Sequence, residues 1–347
     1  MSPTVRRGLS WGLGMLVLLA LGWPLLSWAL WRAEFSPDAA ACQALAHQGA
    51  CWGVVPARGL NLLFGHYPID QLWRPWLWLA ALAMASLWVA WHTRHANSGF
   101  LAARRQAWRF TTGLVLAWLA GLWLLGGGLG LPSVPSSQWG GLPLTLVIAG
   151  GSYLLSWPLA LGLALARSAR SPLWRVPATV VIEGVRGVPL VTLLFAAAFL
   201  LPRLTPSPDS LSLLTRATLT LAVFSSAYLA EILRAGLQAV PDSQQESAWV
   251  LGLGHWGTQA QVVLPQAIRA VWPALTGHAI GLLKESSLVM VIGLHELTGA
   301  LSLSLGGDPL WRPFYFEAYL FVGLIYGLMC WALSAWSRRL ERRWAAA

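Results

Sequence analysis

Charge is scarce in this chain of 347 residues: 10% of the side chains are Asp, Glu, Lys or Arg, and the single lysine is Lys284. A soluble fold coats its surface with about a quarter of its residues charged. At 56% hydrophobic and a mean hydropathy of +0.59, the chain cannot hide its apolar side chains in one aqueous core, and it reads as an integral membrane protein. Catalytic signatures are missing as well. There is no G-x-x-x-x-G-K-S/T phosphate loop, and Lys284 lies in LLKESSLV with no Gly-rich turn before it, which excludes nucleotide hydrolysis by this chain alone. Neither H-E-x-x-H, C-x-x-C nor G-x-S-x-G occurs and the seven His are scattered, so metal, redox and serine-hydrolase chemistry have no support and no cofactor is expected.

What is present is one apolar run after another. About 20 apolar residues cross the hydrocarbon, and runs of that length start near Leu9, Trp76, Phe110, Leu142, Val176, Leu211, Pro273 and Tyr315, giving about eight transmembrane helices in an all-α fold. The net charge of +10 would suggest nucleic acid in a soluble protein. Here the arginines flank apolar runs, so the charge reads as topology and no nucleic-acid partner is expected. Arg6, Arg7, Arg94, Arg104, Arg105, Arg109, Arg167, Arg170, Arg175, Arg234, Arg269, Arg338, Arg339, Arg342 and Arg343 fall on one side if spans alternate, against Arg32, Arg58, Arg74, Arg203 and Arg312 on the other. The positive-inside rule then places both termini in the cytoplasm. The 23 Trp suit the headgroup level of a bilayer.

The run from Leu9 to Trp31 is longer than a signal-peptide core and lacks a small-x-small site before Arg32, so it reads as a retained span. Residues 32–74 form the largest outer loop, holding Cys42 and Cys51; a short disulfide and two free thiols are equally compatible with the spacing. Residues 1–131 constitute a three-span extension. After the uncharged break GGGLGLPSVPSSQWGGLP, residues 132–347 form a five-span module with a polar cytoplasmic loop over 235–270.

That loop is the long polar interruption. Val240-Pro241-Asp242-Ser243 ends one helix, Asp242 or Ser243 can cap a short helix over Gln244 to Leu251, and Gly252-Leu253-Gly254 breaks it before a second helix reaching Leu264-Pro265. Within the bracket, Ser247 and Ala248 let a backbone approach a partner surface while Glu246 offers a charge-assisted contact. A capped amphipathic surface helix is the plainer alternative.

Glu246-Ser247-Ala248, then Gly252, Val262 and Leu264-Pro265, resemble the EAA loop by which membrane subunits of ABC importers engage their ATPase. LPLTL at 142–146, VIEGVRGVPL at 181–190, AYLAEILRAGLQAVP at 227–241, VVLPQAIR at 262–269 and LLKESSLVMVIGLHEL at 282–297 are similar to the polar amino acid permease family and cover the five-span module. CQALAHQGACW at 42–52 and FGHYPIDQLWRPWLW at 64–78 are similar to the longer permease subunit of general L-amino acid importers. Four departures stand out: ESA replaces EAA, Ser243 replaces Gly, Lys284-Glu285-Ser286-Ser287 replaces Lys-Asp-Thr-Ser, and His278 replaces Asn. The last two lie in a span and bear on substrate preference.

The resemblance implies a type I importer-like five-helix core and a multi-pass subunit of a bacterial inner membrane. It also implies ABC ATPase subunits, a second permease subunit of different sequence, a periplasmic solute-binding protein, an L-amino acid substrate and membrane lipid as partners. Gln245, Glu246, Ser247, Ala248, Gly252, Leu264 and Pro265 are then the ATPase-coupling residues. Ionisable groups inside a membrane are functional candidates, which singles out Glu183, Arg186, Lys284 and Glu285 for the pathway. The alternative for Glu183 and Arg186 is a mutually neutralising i,i+3 pair, and Lys284 and Glu285, about 100° apart on a helix, cannot easily face one ligand together. Glu231 and Arg234 are expected to brace the bracket, His255 and Trp256 to touch the partner, and His278 and His295 to hydrogen-bond within the bundle. The competing functional reading is an ion-gradient-driven amino acid carrier acting without an ATPase; a membrane scaffold that transports nothing is a further one.

Overall fold

The computed structural model describes residues 15, 20, 22–45, 48–95, 100–204 and 211–345. The outer loop carries two short helices, α1 (Ala39–Ala44) and α2 (Val54–Phe64), and leads into α3 (Trp73–His95) and α4 (Phe100–Gly126). The module follows: α5 (Gly141–Ser168), α6 (Pro172–Arg186), α7 (Leu190–Leu204), α8 (Leu213–Gln238), α9 (Asp242–Val250), α10 (Leu264–Ala270), α11 (Trp272–Glu285), α12 (Leu297–Gly306) and α13 (Tyr315–Ala345). Among the described residues the only β contacts are isolated bridges. Most of the predicted first span, with Arg6 and Arg7, lies outside the described residues.

Among the described residues, five stretches are long and apolar enough to cross a bilayer: Ile69–Val89, Gly141–Ser168, Leu213–Gln238, Trp272–Ile292 and Arg312–Trp344. The span expected from Val176 takes another form. It is two helices, α6 and α7, meeting at 96°. Fifteen residues of α6 rise only about 22 Å, short of the roughly 30 Å hydrocarbon, so neither half crosses alone. The break has a local cause. Pro189 has no N–H to donate and pushes Val188 away from helical geometry, while Gly187 ends α6 with its N–H on the Glu183 carbonyl at 2.9 Å.

The module is built around α5 and α8, the most extensive helix pair among the described residues. Small side chains make that contact close. Ser152, Ser156, Ala160 and Ala164 face Ala217, Ala222, Ser225, Ser226 and Ala230, all buried, which suits membrane helices that attract one another by packing rather than by hydrophobicity. Buried polar groups are satisfied locally: Ser152 Oγ donates to the Thr218 carbonyl at 3.0 Å and Ser156 Oγ to the Tyr153 carbonyl at 2.7 Å. Leu144, Ile148, Leu190, Leu194, Leu221, Phe224, Leu282 and Val289 fill one half of the core, and Ile182, Leu229, Leu233 and Leu275 the half nearer the polar bracket.

The outer loop docks on the module. Cys42 and Cys51 are joined as a disulfide, Cα atoms 5.4 Å apart, which decides between the two readings of that spacing. The bridge packs with Val54 and Leu62 against Leu297, Leu301, Leu305, Trp311 and Phe314 of the α12–α13 region. Cys51 N–H donates to the buried Glu317 carboxylate at 3.1 Å, and Arg58 pairs with Asp308. The turn after α2 meets the start of α5 backbone to backbone. Gly65 (φ +63°) and Gly141 (φ +62°) both adopt left-handed geometry, and a Cβ on Gly141 would collide with the Leu63 carbonyl.

Candidate pathway and coupling loop

Charge gathers where the ends of α5, α6 and α8 converge. Arg167, in the last turn of α5, donates a hydrogen bond to Glu183 of α6 at 2.8 Å and forms an ion pair with Glu231 of α8 at 3.0 Å. Glu231 also holds Arg234 at 3.0 Å, whereas Arg186 is 3.9 Å from Glu183. The alternative i,i+3 pair therefore exists but is the loosest link of a five-residue chain, in which Glu231 and Arg234, expected to brace the bracket, are tied to α5 through Arg167. The importance of Arg167 was hidden because its side chain reads as a topology marker in sequence.

Beyond this chain, Arg186 lies 5.2 Å over the ring of Tyr228, which stacks at 6.3 Å on His278. Ser225 Oγ and His278 Nε2 are 2.7 Å apart, satisfying the histidine inside the bundle as expected, and Tyr153 lies 6.5 Å from the same imidazole. Tyr153, Ser225 and Tyr228 were not singled out from sequence; Tyr228 is the second residue of the AYLAE segment, and only packing shows which faces of α5 and α8 meet His278. Lys284 is exposed and Glu285 half-buried, so the adjacent pair diverges across the helix surface as the 100° step requires. Ser286 starts a 3-10 stretch to Ile292, ended by Gly293 at φ +91°.

The knot at the outer end was legible only in part. His295 was expected to bond inside the bundle; its carbonyl accepts from Gly141 N–H at 2.9 Å, and its ring lies edge-on to His66 at 6.4 Å. Burial, then the neighbouring His66 charge, push the His295 imidazole below its ordinary value. The fully buried Glu296 caps α12 through Thr298 and Gly299 N–H at 2.9 and 3.0 Å, and accepts from Thr145 Oγ1 at 3.1 Å and Tyr326 O–H at 2.7 Å. One carboxylate thus ties α5, α12 and α13.

The polar loop over 235–270 forms the expected bracket, but differs from expectation in two places. The first helix spans Asp242–Val250, starting two residues before the expected Gln244, so Pro241 rather than Asp242 or Ser243 holds the cap position and no side-chain cap bond forms. The second does not stop at Pro265. It runs from His255–Thr258 through a π-helical turn, Gln259–Val263, into α10, and Pro265, which has no N–H to donate, follows directly on that π turn. Between them Gly252 (φ +83°) closes α9: its N–H reaches the Trp249 carbonyl at 2.9 Å and Leu253 N–H the Ala248 carbonyl at 3.1 Å, a Schellman ending. Ala248 is buried and Gln245 half-buried, while Glu246, Ser247 and Gly252 are exposed; Leu264 and Pro265 are half-buried at the far end of the bracket. Exposed Trp249, Val250, Leu251 and Trp256 give the tip an apolar surface.

Residues 158–346, more than half the chain and including both the charge cluster and the bracket, match the signature described as binding-protein-dependent transport system inner membrane component. The chain belongs to this family. Among curated relatives, the inner membrane amino-acid ABC transporter permease protein YhdY of Escherichia coli (strain K12) is 37% identical over 98% of this chain and 92% of its own length. The glutamate/glutamine/aspartate/asparagine transport system permease protein BztC of Rhodobacter capsulatus is 33% identical over 85% of this chain and 79% of its own length. A crystal structure of an amino acid ABC transporter with histidines superposes with a TM-score of 0.51 at 33% identity, covering 58% of this chain and 91% of that one. As a member of the binding-protein-dependent family, the chain is a membrane-embedded permease subunit of an ATP-driven importer, with hydrolysis on a partner and a binding protein in the assembly.

Proposed function

We propose that this permease subunit imports L-amino acids of broad side-chain type and couples through Gln245, Glu246, Ser247, Ala248, Gly252, Leu264 and Pro265. The observation that carries the coupling is the tip of the bracket: Val250 is 87% and Leu251 82% exposed beside the exposed Glu246 carboxylate. Apolar side chains displayed that fully at a polar loop favour a protein groove over water. The amino acid cargo is supported by the relatives, whose names state it.

The pathway runs past Glu183, Arg186, Lys284 and Glu285. Lys284 is exposed within the Trp272–Ile292 span, and Glu183 and Arg186 on the broken one. Charges at that depth do not face lipid, which supports a second permease subunit closing this side. The 96° break between α6 and α7 gives the pathway a place to open. Residues 1–131 act as the extension and 132–347 as the transport module; the solved transporter, matching only 58% of this chain but 91% of its own, supports the division. Both termini lie in the cytoplasm.

The test is purification of the tagged chain from native membranes in mild detergent, with mass spectrometry of what stays bound. Recovery of an ATPase subunit, lost in Glu246→Arg while the variant still inserts, is the expected result. Uptake by the purified chain without ATP would replace this reading with the gradient-driven carrier.

A further inference from the structure

The cytoplasmic ends of α11 and α13 carry a cluster that neither coupling nor the pathway uses. Trp272, the first residue of α11, lies edge-on to Trp336 at 5.6 Å and to Trp344 at 5.3 Å. The Arg269 guanidinium stands 5.7 Å over the Trp344 ring. At 100° per residue, Trp336, Leu340 and Trp344 line the seam and Arg339 and Arg343 fall along one flank, with Arg338 and Arg342 on the far face. Arg269, Arg339 and Arg343 therefore flank three edge-on indoles, and one carboxylate, Glu341, lies among the α13 arginines; it is occupied by Ser337 O–H at 2.7 Å. None of the four α13 arginines forms an ion pair among the described residues. The indole N–H groups of Trp272 and Trp336 are buried without an acceptor.

We propose that this seam is a binding site for the phosphate headgroup of an anionic phospholipid. The argument is one of chemistry and place. Indole rings settle at headgroup depth, and arginine forks match a phosphate diester bidentately. Basic pockets between helices on the cytoplasmic side suit such headgroups. The two orphan indole donors supply hydrogen bonds to headgroup oxygens once either ring turns. A topology signal alone needs the positive charge but neither the edge-on rings nor Arg269 held over one of them.

The test uses the purified full chain in detergent, by native mass spectrometry with phosphatidylglycerol, phosphatidylcholine of the same acyl chains, and inorganic phosphate. Phosphatidylglycerol is expected to stay bound under activation that strips phosphatidylcholine, and to be indifferent to equimolar inorganic phosphate. The double substitution Arg339→Gln with Arg343→Gln should lower its retention about tenfold, and Arg203→Gln at the outer end should not. Equal retention of the two lipids, or wild-type retention in the double variant, overturns the site. Displacement of the lipid by inorganic phosphate makes it a free-anion site and overturns the lipid assignment. The two-lipid comparison on the unmodified protein decides the matter even if the double variant inserts poorly.

Discussion

Arg167 reaches Glu183 at 2.8 Å across the α5–α6 corner, a shorter contact than Glu183 makes with Arg186 on its own helix. The consequence is mechanical. The free end of a broken helix is tied to α5 and, through Glu231, to α8, so α6 moves with its neighbours instead of swinging alone.

Arg167→Ala should therefore release α6 while leaving insertion intact. Glu183 is half-exposed, so screening limits the loss to about 1 kcal/mol of stability, but hydrogen exchange over residues 172–186 should quicken and uptake fall. Unchanged exchange in α6 would show that the chain of charges constrains nothing.

Glu296 accepts four hydrogen bonds while fully buried. Tyr326→Phe removes one donor and should cost about 1–3 kcal/mol, read as a lower melting temperature in detergent; Glu296→Ala, which also uncaps α12 and strands Thr145, should cost more. A smaller effect for Glu296→Ala than for Tyr326→Phe would contradict the knot.

The disulfide closes a loop between residues nine apart. Loop entropy assigns such a link about 2.5–3 kcal/mol, so Cys42→Ser with Cys51→Ser should lower the melting temperature, and reductant should destabilise the wild type but leave the double variant unmoved.

Gly252 has open space where a Cβ would stand, so substitution tests conformation alone. Gly252→Asn, which tolerates the left-handed region, should couple nearly normally. Gly252→Val should cost about 1–2 kcal/mol locally and uncouple uptake by bending the bracket. Equal behaviour of the two variants would remove the φ argument.

His295 is held below its ordinary value by burial first and by His66 second. The folded state thus favours the neutral ring: its stability contribution is full above about pH 6.5 and is lost as pH falls toward the folded value. Thermal stability should drop between pH 7.5 and 5.5. His295→Asn should abolish that component, and His66→Asn should reduce it.

Composition and periodicity were enough to determine a helical membrane protein, the Gly-broken bracket and the ESA run within it, because these depend on local chemistry: apolar length, arginine placement, a glycine at φ +83°. Lys284, Glu285, Glu183 and Arg186 stood out for the same reason, as charges where few occur. Gly187-Val188-Pro189 likewise marks in sequence the place where the span from Val176 breaks, whereas tertiary structure alone decided that Arg167 rather than Arg186 is the close partner of Glu183 and that Cys42 and Cys51 join. It also decided that Tyr153, Ser225 and Tyr228 surround His278. Each of these depends on which helix faces meet, and the meeting of faces is set by packing between residues up to 125 positions apart, a relation that no local pattern of amino acids encodes.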